Sequence, residues 1–251
     1  MSDCTDAPGG AEPPNPSPVA WAVHVLTALG AVLGLLAMMA IVEGRREAAI
    51  VWLVAAQILD GLDGPLARAY GLDRQRSRID GEVLDLVVDY LTCVAVPALL
   101  AQQFLGFGRP ASLLLAGAVL VSGALWFSRR DLCADDHSFR GFPAAWNLVI
   151  PTLVLLGLPL WLDAALIAGL SALSFTNVVF VHPVRVVRGR AVSIAVIVAW
   201  LGSLLAVSLD EGGAVARPEL HALLALSALA SAAITVWHTR QRLDVGLAEL
   251  R

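Results

Sequence analysis

Lysine is absent from the 251 residues, and charged side chains of every kind make up only 15%. A soluble domain of this length would carry roughly 25%, so an ordinary water-soluble globule is excluded. The formal net charge is −4, and no basic stripe interleaved with aromatic residues is present, which excludes a nucleic-acid binder. Cysteine is scarce as well. Cys4, Cys93 and Cys133 are too few and too widely spaced for a disulfide framework or a zinc site, and read as small apolar fillers. No internal repeat stands out.

Apolar residues are plentiful: 58% of the chain is hydrophobic and the mean hydropathy is +0.75. A bilayer span takes about 20 mostly apolar residues. Eight candidates follow, near 20–43, 48–70, 82–105, 111–128, 143–160, 162–181, 191–208 and 219–238. The expected fold is all-α, a polytopic transmembrane bundle of about eight spans. Residues 1–19 are rich in Pro and Gly and read as a disordered tail. They hold no Lys or Arg, so they lack the basic n-region of a signal peptide. Residues 20–240 then form the transmembrane domain and 241–251 a C-terminal tail.

With no lysine, the arginines alone set the expected orientation. The connections after spans two, four and six hold Arg74, Arg76 and Arg78, then Arg129, Arg130 and Arg140, then Arg185, Arg188 and Arg190. The C-terminal tail adds Arg240, Arg242 and Arg251, whereas the opposite side has only Arg45, Arg46, Arg109 and Arg217. Basic residues collect on the cytoplasmic side, so both termini are predicted there.

The informative residues are acids inside two of these spans, where an ionisable group costs several kcal/mol and points to function. The second span ends ILDGLDGPLARAYG, and the third begins DGEVLDLVVDYLT. Asp60, Asp63, Gly64 and Ala67 stand at i, i+3, i+4 and i+7, and Gly81, Asp85 and Asp89 at i, i+4 and i+8. Each set occupies one helix face. Two antiparallel helices joined by a cytoplasmic loop would aim these faces at each other, bringing four carboxylates together. Only a comparable positive charge keeps such a group ionised in low dielectric, and Arg68 alone is too little. Oxygen-ligated divalent cations, Mg²⁺ or Mn²⁺, are the natural solution, with two ions expected. Gly61, Gly64 and Gly81 leave room for close approach, and Pro65 removes a helical hydrogen bond beside the site. A cation pathway lined by Asp is the competing reading, but it has no need of Ala67 and Arg68 next to Asp63 and Gly64.

At these residues the sequence resembles the CDP-alcohol phosphotransferase family, whose signature is D-x-x-D-G-x-x-A-R, a loop, then G-x-x-x-D-x-x-x-D. All eight positions are filled, by Asp60, Asp63, Gly64, Ala67, Arg68, Gly81, Asp85 and Asp89. The departure is the loop: twelve residues separate Arg68 from Gly81, where the family commonly has fewer. That longer loop, with DGEVLDLVVDYLT, FRGFPAAWN at 139–147 and HPVRVVR at 182–188, is similar to the bacterial phosphatidylcholine synthase branch. The likeness covers roughly residues 20–240.

The resemblance implies that Asp60, Asp63, Asp85 and Asp89 are metal ligands, with Asp89 also general base on the acceptor hydroxyl. It implies a cytidine diphosphate site made by Asp60, Gly64, Ala67, Arg68 and Gly81. The implied reaction is CDP-diacylglycerol plus choline giving phosphatidylcholine plus CMP, in the bacterial inner membrane with the site facing the cytoplasm. A homodimer is also implied, although no span offers a clear small-xxx-small face. Other acceptors remain open: serine, glycerol phosphate or inositol phosphate. No Arg pair is placed near the carboxylates to bind a phosphorylated acceptor, which favours an uncharged or cationic one.

A quaternary ammonium is held by aromatic faces, and Tyr90, Phe142 and Trp146 are the candidates, each also explicable as a packing or interfacial residue. Arg129, Arg130 and Arg188 are candidates for a lipid phosphate or simply orient the spans. Glu82 suits the first turn of a helix. Asp135, Asp136 and His137 read as a polar loop. His182 and Asn147 admit structural and ligand roles alike.

Overall fold

The computed structural model describes residues 15–72, 78–129, 131, 138–180, 189–210 and 217–249, without side chains for 241–249. The order of elements is α1 (Pro18–Val42), α2 (Arg46–Ala69), α3 (Gly81–Phe104), α4 (Arg109–Phe127), β1 (Phe139–Arg140), α5 (Trp146–Leu156), α6 (Leu160–Leu173), β2 (Val179–Phe180), α7 (Arg190–Asp210) and α8 (Pro218–Glu249). The protein is a helical membrane bundle.

Local sequence explains where the first helices start and stop. Ser17 accepts from the Ala20 N–H through Oγ at 3.2 Å, and Pro18 occupies the first helical position, where its missing N–H costs nothing. The turn into α2 runs through Gly44 at φ +74, the left-handed conformation that glycine adopts without penalty. Asp80 caps α3, its Oδ1 accepting from the N–H of Glu82 at 3.0 Å and of Val83 at 3.2 Å. Within α3, the α-helical stretch Gly81–Asp89 passes into a π-helical segment, Tyr90–Ala95, before α-helix resumes at Val96.

Among the described residues there are eight helices where eight spans were expected, and six of these are long and apolar enough to cross a bilayer: α1 to α4, α7, and Pro218–Arg240 of α8. The fifth and sixth candidates are corrected to half-length. α5 has 11 residues and α6 has 14, about 16 and 21 Å at 1.5 Å per residue, against a hydrocarbon core of about 30 Å. Gly157, at φ +56, and Pro159 break what reads in the sequence as continuous apolar chain. β1 pairs antiparallel with β2, Phe139 opposite Phe180 and Arg140 opposite Val179. The α5–α6 pair therefore leaves by the face at which it begins, so the alternation of the remaining spans is unchanged. Broken helices at membrane depth are tolerated when other protein surrounds them. α5 is so enclosed: from Trp146 to Leu155 only Val149 is not buried.

The buried face of α1 is built from small residues. Ala20, Val23, Thr27, Gly30, Gly34, Ala37 and Ile41 turn inward, while Trp21, Val25, Leu29, Val32 and Met39 are exposed, as suits a surface meeting lipid. Gly30 and Gly34 form the small-xxx-small pair that the sequence did not clearly offer, and they face α3 inside the same chain. A Cβ on Gly30 would lie 2.7 Å from Val88 Cγ1, and one on Gly34 3.3 Å from Leu91 and Thr92. Close backbone approach of this kind replaces the hydrophobic effect as the adhesive between helices in lipid. Gly30→Ala should therefore lower the thermal midpoint of the detergent-solubilised protein, reflecting about 1–3 kcal/mol of overpacking. An unchanged midpoint would show that Val88 moves aside freely.

Polar pairs tie the remaining helices. Trp200 Nε1 of α7 donates to Thr152 Oγ1 of α5 at 2.9 Å, Ser203 and Ser227 join α7 to α8 at 3.4 Å, and Thr239 Oγ1 of α8 donates to the Val179 carbonyl of β2 at 3.0 Å.

Candidate active site

Asp60 and Asp63 belong to α2, Asp85 and Asp89 to α3, and the packing of both helices on α1 turns these faces together. Asp60, Asp85 and Asp89 each present one carboxylate oxygen, and the three atoms lie within 4.8 Å of one another. This oxygen-only donor set is the kind that hard divalent cations take, so the cluster can hold a metal ion. Asp63 is one turn along α2 and is buried, accepting from Thr27 Oγ1 of α1 at 2.6 Å. Both helices, with α1, line a small pocket whose walls include Thr27, Gly30, Asp60, Asp63, Asp85 and Thr92. Asp60 lies ten residues before Tyr70, or about 15 Å along the helix, so the pocket is sunk below the end of α2.

The other motif residues surround this cluster. On α2, the Arg68 guanidinium folds back over Gly64, where a Cβ would stand 3.3 Å from Nη1. Ala67 is half-buried on the same side. Gly81 opens α3 directly against His24 of α1: a Cβ there would be 3.1 Å from the imidazole Cε1. Glu82, in the first turn, follows the Asp80 cap. Asp89 is the last residue before the π-helical segment, a type of irregularity frequent at functional sites because it re-aims the side chains around it.

The aromatic and basic candidates that are described make further contacts of their own. Tyr90 donates its hydroxyl to the Leu120 carbonyl of α4 at 3.2 Å and meets Phe127 edge-on, centroids 6.4 Å apart. Phe142 and Trp146 pack edge-on at 4.8 Å and are 4% and 0% exposed. Arg129 makes a two-point contact with Asp131, Nε to Oδ1 at 2.9 Å and Nη2 to Oδ2 at 2.8 Å. Its Nη1 donates to the Ser174 carbonyl at 2.9 Å. These bonds clamp the end of α4 to the end of α6, and the guanidinium holds the Asp131 carboxyl down to about 2. Arg130, Arg188, Asp135, Asp136, His137 and His182 lie outside the described residues.

Three contributors escaped the sequence reading: Thr27, His24 and Gln57. Gln57 Nε2 donates to Asp60 Oδ2 at 2.9 Å, and Asn147, ambiguous in the sequence, donates from Nδ2 to Gln57 Oε1. A signal for the first two was available. His24 and Thr27 are the only polar side chains of α1, and a spacing of three places them on one face.

Comparison with known proteins agrees with the eight-position signature. Residues 22–239 match the family described as CDP-alcohol phosphatidyltransferase. The chain is 41% identical over 182 residues to a phosphatidylcholine synthase of Pseudomonas aeruginosa, an alignment covering 72% of this chain and 76% of that one. It is 43% identical to the phosphatidylcholine synthase of Bradyrhizobium diazoefficiens, covering 72% and 68%, and 35% identical to that of Mesorhizobium japonicum, covering 74% and 69%. With that extent of match around an intramembrane carboxylate cluster, the chain belongs to the CDP-alcohol phosphatidyltransferase family.

Proposed function

We propose that the protein transfers the phosphatidyl group of CDP-diacylglycerol to choline, releasing CMP, with Mn²⁺ or Mg²⁺, as two ions, held by Asp60, Asp63, Asp85 and Asp89. The observation that carries this reading is the convergence of Asp60, Asp85 and Asp89 from two helices, within a family that acts on CDP-alcohols. Choline as acceptor rests on relatives named phosphatidylcholine synthase at 34–43% identity.

Bound divalent cations would supply the positive charge that offsets the pyrophosphate and eases departure of CMP. The chain's own residues do the rest. Gly64, Ala67 and Gly81 leave room for the nucleotide, and Arg68, beside Gly64, is placed to hold a phosphate. Asp89 accepts the hydroxyl proton of choline as its oxygen bonds to the lipid-bearing phosphorus. The bond from that phosphorus to the bridging oxygen breaks, and CMP leaves with the bonding pair. Help of this kind from a general base is typically worth 10²–10⁴-fold. Of the aromatic candidates, Tyr90, next to Asp89 and half-buried, is the foremost wall for the quaternary ammonium, ahead of Phe142 and Trp146, which are buried.

The same reading places the multi-pass protein in a bacterial cytoplasmic membrane, with termini and pocket on the cytoplasmic side and a homodimer as the assembly. The arginine asymmetry supports that orientation. Of the four arginines assigned outside, three lie against acids, Arg45 on Glu43, Arg46 on Glu47 and Arg217 on Asp210.

Incubating purified protein with CDP-diacylglycerol, Mn²⁺ or Mg²⁺, and a panel of choline, serine, glycerol phosphate and inositol phosphate tests the proposal. CMP release is expected with choline alone. Release with serine instead would reassign the acceptor, and release with none would remove the activity.

A further inference from the structure

We propose that Gln57 is a positioning residue for Asp60, and that Asn147 fixes the orientation in which Gln57 works. The inference rests on the metal-binding reading of the Asp cluster. Gln57 lies one helical turn before Asp60 on α2 and points its Nε2 at Asp60 Oδ2, 2.9 Å away. Its other end, Oε1, accepts from Asn147 Nδ2, which comes from α5, ninety residues further along the chain. Asn147 is 4% exposed and follows Trp146, itself sealed in the core. It is thus a buried group rather than a mobile surface one, and its Oδ1 has no hydrogen-bond partner among the described residues, so its amide bonds through Nδ2 to Gln57.

Set between the Asp60 carboxylate and the Asn147 NH₂, the glutamine amide has one favourable sense. Turned over, Gln57 would set its carbonyl oxygen against a carboxylate and its NH₂ against the NH₂ of Asn147, losing both hydrogen bonds and adding two repulsions. In the observed sense it donates to one oxygen of Asp60, and a carboxylate offers about four lone-pair sites over its two oxygens. Acceptor capacity is left for a cation shared with Asp85 and Asp89. The bond also restrains the rotation of the Asp60 side chain before any ligand arrives. Partners that orient a ligating carboxylate in this way typically change metal affinity by 10–100-fold when removed. The arrangement has a further consequence. Asn147 stands at the end of the Gly141–Ala145 turn, so the seating of α5 is transmitted to one metal ligand through two side-chain amides.

Mn²⁺ titration of the purified, detergent-solubilised chain, followed by electron paramagnetic resonance, tests this without turnover. The variants are Gln57→Met, which keeps length and volume, Asn147→Leu, which keeps shape, and the double variant. We expect Gln57→Met to weaken Mn²⁺ binding by about 10–100-fold, and Asn147→Leu to weaken it by a smaller factor. The double variant should bind no more weakly than Gln57→Met alone, because Asn147 acts only through Gln57. Wild-type affinity in Gln57→Met, or losses that multiply in the double variant, would overturn the assignment. So would a drop in the metal-free melting midpoint large enough to account for the loss of affinity, since the pair would then be structural. If the wild-type chain binds no Mn²⁺, the metal reading itself fails and the relay fails with it. Because Gln57 is only half-buried, its variant gives a result even where Asn147→Leu does not fold.

Discussion

Replacing Asp89 with asparagine should reduce CMP release from CDP-diacylglycerol and choline by about 10²–10⁴-fold, while the protein still inserts and folds. The substitution keeps the side chain's size and one oxygen, so it removes little besides the charge and the ability to accept a proton. Without a bound cation, carboxylates this close (Asp60, Asp85 and Asp89 lie within 4.8 Å) take up protons rather than stay charged, so an uncharged asparagine of the same size fits there at little cost. The variant should therefore melt no lower than wild type in the absence of metal. A merely structural aspartate would show the opposite pattern, with lower stability and preserved turnover. Measuring CMP release together with the melting midpoint separates the two, and wild-type turnover would eliminate Asp89 as the base. Because Asp89 is also proposed as a metal ligand, assaying across a range of Mn²⁺ concentrations distinguishes its roles. A defect that saturating metal restores is one of metal binding, and a defect that persists is one of proton transfer.

The second large effect is structural and lies far from the aspartates in sequence. Gly141→Ala should lower the stability of the solubilised protein by roughly 2–4 kcal/mol, combining a left-handed backbone with overpacking. Gly141 has φ +77, and a Cβ there would stand 2.4 Å from the Ser174 carbonyl oxygen and 3.1 Å from that of Leu173. Neither is free to retreat. The Ser174 carbonyl accepts from Arg129 Nη1 at 2.9 Å, and the Leu173 carbonyl accepts from the Phe142 N–H at 3.2 Å. Gly141 itself donates to the Val178 carbonyl at 2.8 Å. The turn continues into Ala144, a non-glycine residue at φ 52, so this short connection already holds one strained residue and tolerates little more. Its distortion would unseat α5 and, through Asn147, Gln57. Activity should fall with stability. The measurement is thermal unfolding in detergent, accompanied by amide exchange in α5, and an unchanged midpoint would mean that the turn is softer than its bonds indicate.

The comparison of sequence and structure turns on what periodicity can report. The long apolar runs gave six of the spans because the length of a bilayer-crossing helix is set by the membrane, not by a partner. Residues 143–181 misled for the same reason. Apolar character persists through Gly157 and Pro159 there, but α5 is apolar because protein encloses it, and composition alone does not distinguish a protein surround from lipid. The acids were legible because a carboxylate in a span is costly enough to need an explanation. Their partners were not. Gln57 is an unremarkable polar residue near a motif, and Asn147 lies ninety residues away, so only packing could join them. Tyr90 is a related case: its place after Asp89 is read from the sequence, while the partner of its hydroxyl, the Leu120 carbonyl of α4, is supplied only by packing.

What the sequence determined by itself is the membrane location, the all-helical class and the eight positions of the signature, since each follows from solvent, helix period or local residue chemistry. The tertiary structure decided which carboxylates meet, with Asp60, Asp85 and Asp89 converging and Asp63 on the wall of the same pocket, bonded to Thr27. It also decided that Gly30 and Gly34 serve contact within the chain, and that two of eight apolar segments stop halfway. These depend on how close two backbones approach. A sequence states what each helix can offer a neighbour, while the distance between neighbours is fixed by all the contacts together.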